Sequence, residues 1–158
     1  MSALSRAYVS VSRVLIVGTA CLAILAAPLP AQQRSAAGLW KAYDNKTKQP
    51  KSVIRITDEN GKLSGKLEQV FPKPGEDANP KCSKCDGELK DKPLLGLMIL
   101  WDMKKDGDKW ADGRILDPED GKTYGCKLEL VDGGKRLKVR GFMGVSMFGR
   151  TEYWDRVE

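Results

Sequence analysis

Residues 110–130, WADGRILDPEDGKTYGCKLEL, decide the fold because they predict two β-strands joined by a tight turn. Within residues 117–122, DPEDGK, the proline presets the first corner of a turn and the glycine supplies a positive φ. After the turn, apolar side chains occupy every second position: Tyr124, Cys126, Leu128 and Leu130. This alternation is typical of a strand with one face on a core and the other in water. The stretch therefore predicts an antiparallel hairpin.

The same plan of short strands and tight turns repeats on both sides of this hairpin. Asn60-Gly61 and residues 132–135, DGGK, are further hairpin signals, and the apolar run 94–101, LLGLMILW, favours a buried strand over a short helix. The predicted strands lie at 38–43, 52–57, 63–70, 94–101, 110–116, 124–130, 137–143 and 148–157. No segment convincingly predicts a helix.

About eight strands in successive hairpins predict an all-β domain, an antiparallel up-and-down barrel. Closure into a barrel removes the exposed sheet edges, and a barrel of this size either fills its interior or holds one small ligand. Glycines within the predicted strands suit the bends of a small barrel. These are Gly65, Gly113, Gly141 and Gly149. A flat sandwich is the alternative architecture.

Residues 71–93 form the one long irregular segment, with four prolines, two cysteines and no strand or helix period. We expect it to be a lid or rim of the barrel. Cys82-Ser83-Lys84-Cys85 favours a local disulfide, with metal binding or thiol exchange as alternatives. Cys126 is then an odd cysteine on the apolar face of its strand, which predicts a buried, inert thiol.

Residues 1–31 resemble a cleaved secretory leader. Arg6 and Arg13 precede the apolar run 14–27, which is shorter than the about 20 residues of a membrane span and is broken by Pro28. The two arginines are not adjacent, which favours the general secretory route over twin-arginine export. We therefore expect a signal peptide of Gram-negative type, one domain over residues 32–158, a periplasmic or secreted location and no membrane span in the mature form.

Charge and composition exclude several function classes. The net charge is +6, but the lysines are scattered among acids, which favours a solvated surface over a nucleic-acid stripe. The chain has no histidine, the commonest general base and metal ligand. Glu152 and Arg150 share one face of the last strand, a pair that is more often structural than catalytic. We predict no enzyme activity, no cofactor, no metal site and no nucleic-acid partner.

Trp40 at the start of the first strand and Arg156 on the last suggest how a barrel would close. The first and last strands of a closed barrel are neighbours, so an arginine can lie over the tryptophan and plug one end. The alternative is an ordinary core tryptophan with surface arginines.

The ordered motifs together resemble a bacterial family of exported proteins known as domain of unknown function 2147 (DUF2147). They are GLW near residue 38, PLLGLMIL, the central W-x-x-G-x-I-L-D-P-E-D-G-K-T-Y and LKVRGFMGVSMFGRTEYWDRV. The resemblance spans residues 38–157 and implies a lipocalin-like barrel with a periplasmic or secreted location. It implies no activity, so no catalytic residues are carried over.

The leading functional hypothesis is a non-enzymatic barrel that binds a small, largely apolar or lipid-like ligand. Candidate lining residues are Tyr124, Leu128, Val139, Met143 and Trp154. Either Arg140 or Arg150 would meet an acidic head group, although strict alternation puts Arg140 on the face opposite Val139. One alternative is a cell-envelope interaction module with a packed interior, whose loop or basic surface contacts an unknown protein or the membrane surface. The other is metal or thiol handling through Cys82 and Cys85.

Overall fold

A computed structural model of the chain describes residues 35–145 and 147–157. The expected leader, residues 1–31, lies outside the described residues. Eight strands follow one another, each hydrogen-bonded to the next, and the last returns to the first to close a barrel. They are β1 (Gly38–Tyr43), β2 (Pro50–Glu59), β3 (Lys62–Val70), β4 (Met98–Asp106), β5 (Lys109–Asp117), β6 (Lys122–Val131), β7 (Arg136–Phe142) and β8 (Gly149–Arg156). The eight-stranded antiparallel barrel predicted from the sequence is confirmed.

Helical structure in the described ranges consists of two short 3₁₀ turns, Gly87–Leu89 and Asp132–Gly134. No helix there is long and apolar enough to cross a membrane.

Several predicted strand bounds need correction. The fourth strand begins at Met98, not at residue 94. Gly96 has φ 80°, which interrupts the extended backbone before Met98, although its N–H still donates to Leu67 O of β3 at 2.7 Å. The seventh strand ends at Phe142, so Met143 lies beyond it in the loop. In β5, Asp112 has φ 59° and the register shifts between Trp110 and Gly113. This bulge explains why consecutive residues there are buried and why simple alternation described β5 poorly.

The antiparallel order divides the loops between two ends of the barrel. The loops β1–β2, β3–β4, β5–β6 and β7–β8 gather at what we call the open end. We call the opposite end of the barrel the closed end. It contains the tight turns β2–β3, β4–β5 and β6–β7, the start of β1 and the end of β8. Apolar side chains fill the closed half of the interior, all of them buried: Trp40, Leu63, Met103, Trp110, Leu128 and Leu137.

The seam between β1 and β8 is the shortest of the eight pairings, with Trp40 opposite Arg156 and Lys41 opposite Asp155. One side chain reinforces this seam. The Arg156 guanidinium lies 4.2 Å from the Trp40 ring centroid, within the range of a cation–π interaction. Trp40 is fully buried and its indole N–H donates to Ala36 O at 2.8 Å.

Within the described residues, the Arg156 guanidinium also donates to three backbone carbonyl oxygens. Nε donates to Gly134 O at 2.8 Å, Nη1 to Ala37 O at 3.1 Å and Nη2 to Ser35 O at 2.8 Å. The side chain therefore ties the β6–β7 turn to the segment that leads into β1, and it covers the closed end of the barrel.

The long β3–β4 segment is ordered by its own hydrogen bonds and by a disulfide. Cys82 and Cys85 are joined and buried. Cys82 N–H donates to Lys92 O at 2.9 Å, and Cys82 O accepts from Asp91 N–H at 3.1 Å. The disulfide loop packs against the β5–β6 turn, where a Cβ on Gly121 would overlap the Lys84 carbonyl group. The segment is thus fixed to the central hairpin.

Replacement of Gly121 by alanine tests this packing. Gly121 has φ +74° and Gly61 has φ +82°, but a Cβ on Gly61 would meet nothing within 4 Å. We expect Gly61→Ala to lower the free energy of unfolding by about 1–2 kcal/mol through backbone strain alone. Gly121→Ala should cost about 1–3 kcal/mol more because of the overlap with Lys84. Urea titration of both oxidised variants measures the difference, and equal losses would contradict the packing.

Replacement of Arg156 by lysine tests the seam. Lysine keeps the charge but loses the planar fork, so we expect the free energy of unfolding to fall by about 2–3 kcal/mol. Arg136→Lys is the matched control, because Arg136 pairs with Asp132 and stacks on Tyr153 among exposed side chains. Arg136→Lys should lower the free energy of unfolding by less than about 1 kcal/mol in the same denaturation assay. A control loss as large as that of Arg156→Lys would show that Arg156 has no special role in closure.

Candidate functional site

The open half of the barrel interior contains a cavity of about 970 Å³. Its floor consists of apolar side chains from five strands, Ile54, Leu67, Ile99, Val139 and Trp154. These residues are all buried, and they lie above the packed core of the closed end. The volume falls at the upper end of the range typical of small-molecule pockets, roughly 300–1,000 Å³.

One wall of the cavity comes from the β3–β4 segment. Residues that line it there are Phe71, Pro72, Lys73, Pro74, Glu76, Pro80 and Leu94. Because prolines have fixed φ and no N–H, this part of the wall presents rigid, apolar rings. Six of these seven residues belong to the segment 71–93, which the sequence predicts to be a lid or rim, and Leu94 follows it.

Four of the six candidate ligand-binding residues line this cavity: Tyr124, Val139, Arg150 and Trp154. The other two do not. Leu128 is fully buried opposite Trp110 in the closed-end core. Met143 follows the end of β7 and is 64% exposed, so its assignment to the interior was wrong.

The two arginines left open by the sequence lie on different faces. Arg150 lines the mouth of the cavity, where its Nη1 is 3.9 Å from Asp117 Oδ2. Arg140 is on the outer face, where its guanidinium donates to Thr151 Oγ1 at 2.9 Å and to Met147 O at 3.0 Å. Of these two arginines, only Arg150 can therefore meet a ligand in the cavity.

Ion pairs connect the loops around the mouth. Lys73 Nζ lies 3.0 Å from Asp44 Oδ2, and Lys51 Nζ lies 3.3 Å from Glu119 Oε1. Backbone N–H donation from Thr47 and the Lys73 ammonium group hold the pKa of Asp44 well below its usual range. The two lysines and Arg150 give the mouth cationic groups, whose present partners are the carboxylates of Asp44, Glu119 and Asp117.

Polar groups on the inner wall are satisfied within the protein. Glu152 accepts from Asn45 Nδ2 at 2.7 Å and from Trp154 Nε1 at 3.4 Å. The Tyr124 phenol donates to Asp120, and this hydrogen bond together with partial burial raises the pKa of Tyr124. Glu152 is thus bonded to its neighbours, and its pairing with Arg150 expected from the sequence is replaced by these contacts.

The three cysteines that the structure describes provide no reactive centre at the cavity. The disulfide between Cys82 and Cys85 is buried, so neither sulfur is presented to solvent. Burial raises the pKa of the Cys126 thiol to about 12, which keeps it neutral and unreactive near neutral pH. Among the residues that the structure describes, no group of three or more acidic or cysteine side chains could hold a metal ion.

Sequence reasoning missed most of the floor. Leu67 alternates with outward residues on its strand, a signal that assigns it to the interior. Ile54 and Ile99 are each next to a second buried residue, Val53 and Leu100, so alternation is a weaker signal for them. That signal could not separate the filled half from the open half, because the division depends on side-chain volumes across the barrel. Gly141 was also missed as a cavity residue. It lines the cavity, and a Cβ at this position would point inward, towards Ile115 and Tyr124.

Comparisons with known proteins agree with the fold. The lipocalin-family protein HP1028 from the human pathogen Helicobacter pylori has a similar structure, with a TM-score of 0.67 and 19% sequence identity over 78% of this chain and 84% of that one. No curated protein matches the sequence. The family described as "Uncharacterized protein conserved in bacteria (DUF2147)" matches residues 38–156. The chain therefore belongs to the DUF2147 family.

Proposed function

We propose that this protein is a non-enzymatic carrier that binds one small, largely apolar molecule in the open half of its barrel. The observation that supports this most is the cavity of about 970 Å³ above an apolar floor. Burial of apolar ligand surface contributes roughly 25 cal/mol per Å² before the costs of binding. A ligand with a hydrocarbon portion would gain most on this floor.

The mouth adds a preference for an acidic head group. Arg150, Lys51 and Lys73 all line the cavity at its opening. The Arg150–Asp117 contact of 3.9 Å is long for an ion pair, and the Arg150 side chain is largely exposed. A carboxylate or phosphate at this level can replace Asp117 as the partner of Arg150 with little rearrangement. The proposed ligand is therefore an amphipathic molecule with its polar end at the mouth.

We also propose that the carrier works in the periplasm or outside the cell. The leader-like residues 1–31 and the disulfide both support an oxidising compartment. The two alternatives are weaker. A packed interior is at odds with the cavity, and thiol or metal chemistry is at odds with the buried disulfide.

Gly141→Leu tests the cavity as the binding site. A Cβ at Gly141 would meet only Ile115 and Tyr124, at 3.6 and 3.7 Å, so a leucine side chain can project into the cavity without a clash at its base. We expect the variant to bind dansyl-labelled undecanoic acid roughly tenfold more weakly, because the apolar space is filled. Fluorescence titration measures the affinity.

Thr123→Leu is the matched control, since Thr123 is an exposed residue of the neighbouring strand β6. This variant should bind the probe as the unsubstituted protein does. Thermal melts check that both variants are folded. Equal affinity in all three proteins, or no binding by the unsubstituted protein, would contradict the proposal.

A further inference from the structure

Four exposed apolar side chains cluster in the loop between β7 and β8, at the open end of the barrel. They are Met143, Val145, Met147 and Phe148, which are 64%, 62%, 79% and 72% exposed. We call these four residues the apolar tip. Large apolar side chains grouped on an exposed loop are unusual in a protein that contacts only water, and they indicate an interaction site.

Hydrogen bonds hold the backbone of this loop. Arg140 Nη2 donates to Met147 O at 3.0 Å, and its Nη1 donates to Thr151 Oγ1 at 2.9 Å. Phe148 N–H donates to Val145 O at 3.2 Å. These bonds tie Val145, Met147 and Phe148 to one another and to β7 while their side chains stay in solvent.

Cationic side chains lie on the outer wall beside the tip. Arg114, Lys127 and Arg140 belong to the adjacent strands β5, β6 and β7, and we call them the basic row. Lys127 on β6 pairs with Arg140 on β7. Arg114 on β5 pairs with Gly125, which lies two residues before Lys127 on β6.

Phe142 lies between the tip and the basic row. A Cβ on Gly125 would come within 2.7 Å of the Phe142 ring, so the ring packs directly against this glycine. The Lys127 ammonium group is 6.0 Å from the same ring centroid. An aromatic ring at the boundary between apolar and cationic groups is typical of a surface that meets the lipid–water interface.

The acids near this surface are few. No Asp or Glu occurs between Asp132 and Glu152, a segment that includes β7, the tip and Arg150. The nearest outer-wall acid on β6, Glu129, is already paired with Lys109 and Lys138. At the neighbouring β5–β6 turn, Asp117 faces Arg150 and Asp120 accepts from Tyr124. On β5, exposed Asp112 lies two residues from Arg114, and Glu119 in the β5–β6 turn is paired with Lys51. Along β7 and the tip, where no acid occurs, the charge complements an anionic surface.

We propose that the apolar tip and the basic row dock the open end of the barrel on an anionic lipid membrane. The tip would enter the interfacial region, while Arg114 and Lys127 meet lipid phosphates. A stable protein–protein interface buries about 800 Å² on each partner. Four side chains at the end of a hairpin form a small, protruding patch, which is better suited to insertion into a lipid surface than to a broad protein interface. This inference goes beyond the carrier function and does not depend on the cavity being occupied.

Vesicle co-sedimentation tests the docking. The full chain is expressed, purified without detergent and mixed with vesicles of equal parts phosphatidylethanolamine and phosphatidylglycerol. We expect Met147→Ser/Phe148→Ser to lower the partition coefficient about tenfold. Arg114→Gln/Lys127→Gln should lower it about tenfold at low salt and remove the preference for these vesicles over phosphatidylcholine vesicles.

The matched control is Leu95→Ser/Val157→Ser, which removes two exposed apolar side chains away from the tip. It should bind vesicles as the unsubstituted protein does. All variants carry the same N-terminus, so any residual leader affects them equally, and thermal melts verify the fold. The proposal is overturned if the tip variant and the control bind equally, if phosphatidylcholine vesicles bind as tightly, or if the tip substitutions abolish self-association in sedimentation experiments without changing vesicle binding.

Discussion

Closure of the barrel depends on its shortest seam, which one arginine side chain reinforces. Strands β1 and β8 share only two paired positions, and Arg156 supplements them with three carbonyl contacts and a stack on buried Trp40. Without pairing at this seam, both strands would become edges with unsatisfied backbone groups. The same arrangement seals the closed end, so the remaining half of the interior is reached only from the open end.

The interior is divided into a packed half and an open half, and the proposed function depends on this division. Two tryptophans, Trp40 and Trp110, take up much of the closed half together with leucines and Met103. The open half has a smaller set of aliphatic groups and Gly141, and the disulfide-anchored β3–β4 segment forms a wall around it instead of filling it. Cationic groups at the mouth and the exposed β7–β8 loop lie at this same end. The features proposed to bind a ligand and a membrane are thus on one side of the molecule.

The sequence predicted the architecture well because the hairpin signals are local. Asn60-Gly61 and the DPEDGK turn fix strand order, and alternation assigns faces. Prediction failed where backbone irregularity or long-range packing decides the outcome. The bulge at Asp112 reverses the alternation in β5, and Met143 falls outside β7 because the hairpin ends one residue earlier. Leu128 points into the barrel, as predicted, but it lies in the closed half and not at the cavity. Its position along the barrel axis follows from its pairing with Trp110.

Native mass spectrometry of the protein, purified without detergent, tests the proposed carrier function most directly. The account predicts a discrete additional mass on the folded protein that disappears after extraction with organic solvent. The extracted molecule should be amphipathic and mainly apolar, as the floor and mouth of the cavity require. A protein that carries no additional mass, and that takes up none when mixed with a total lipid extract, would contradict the account.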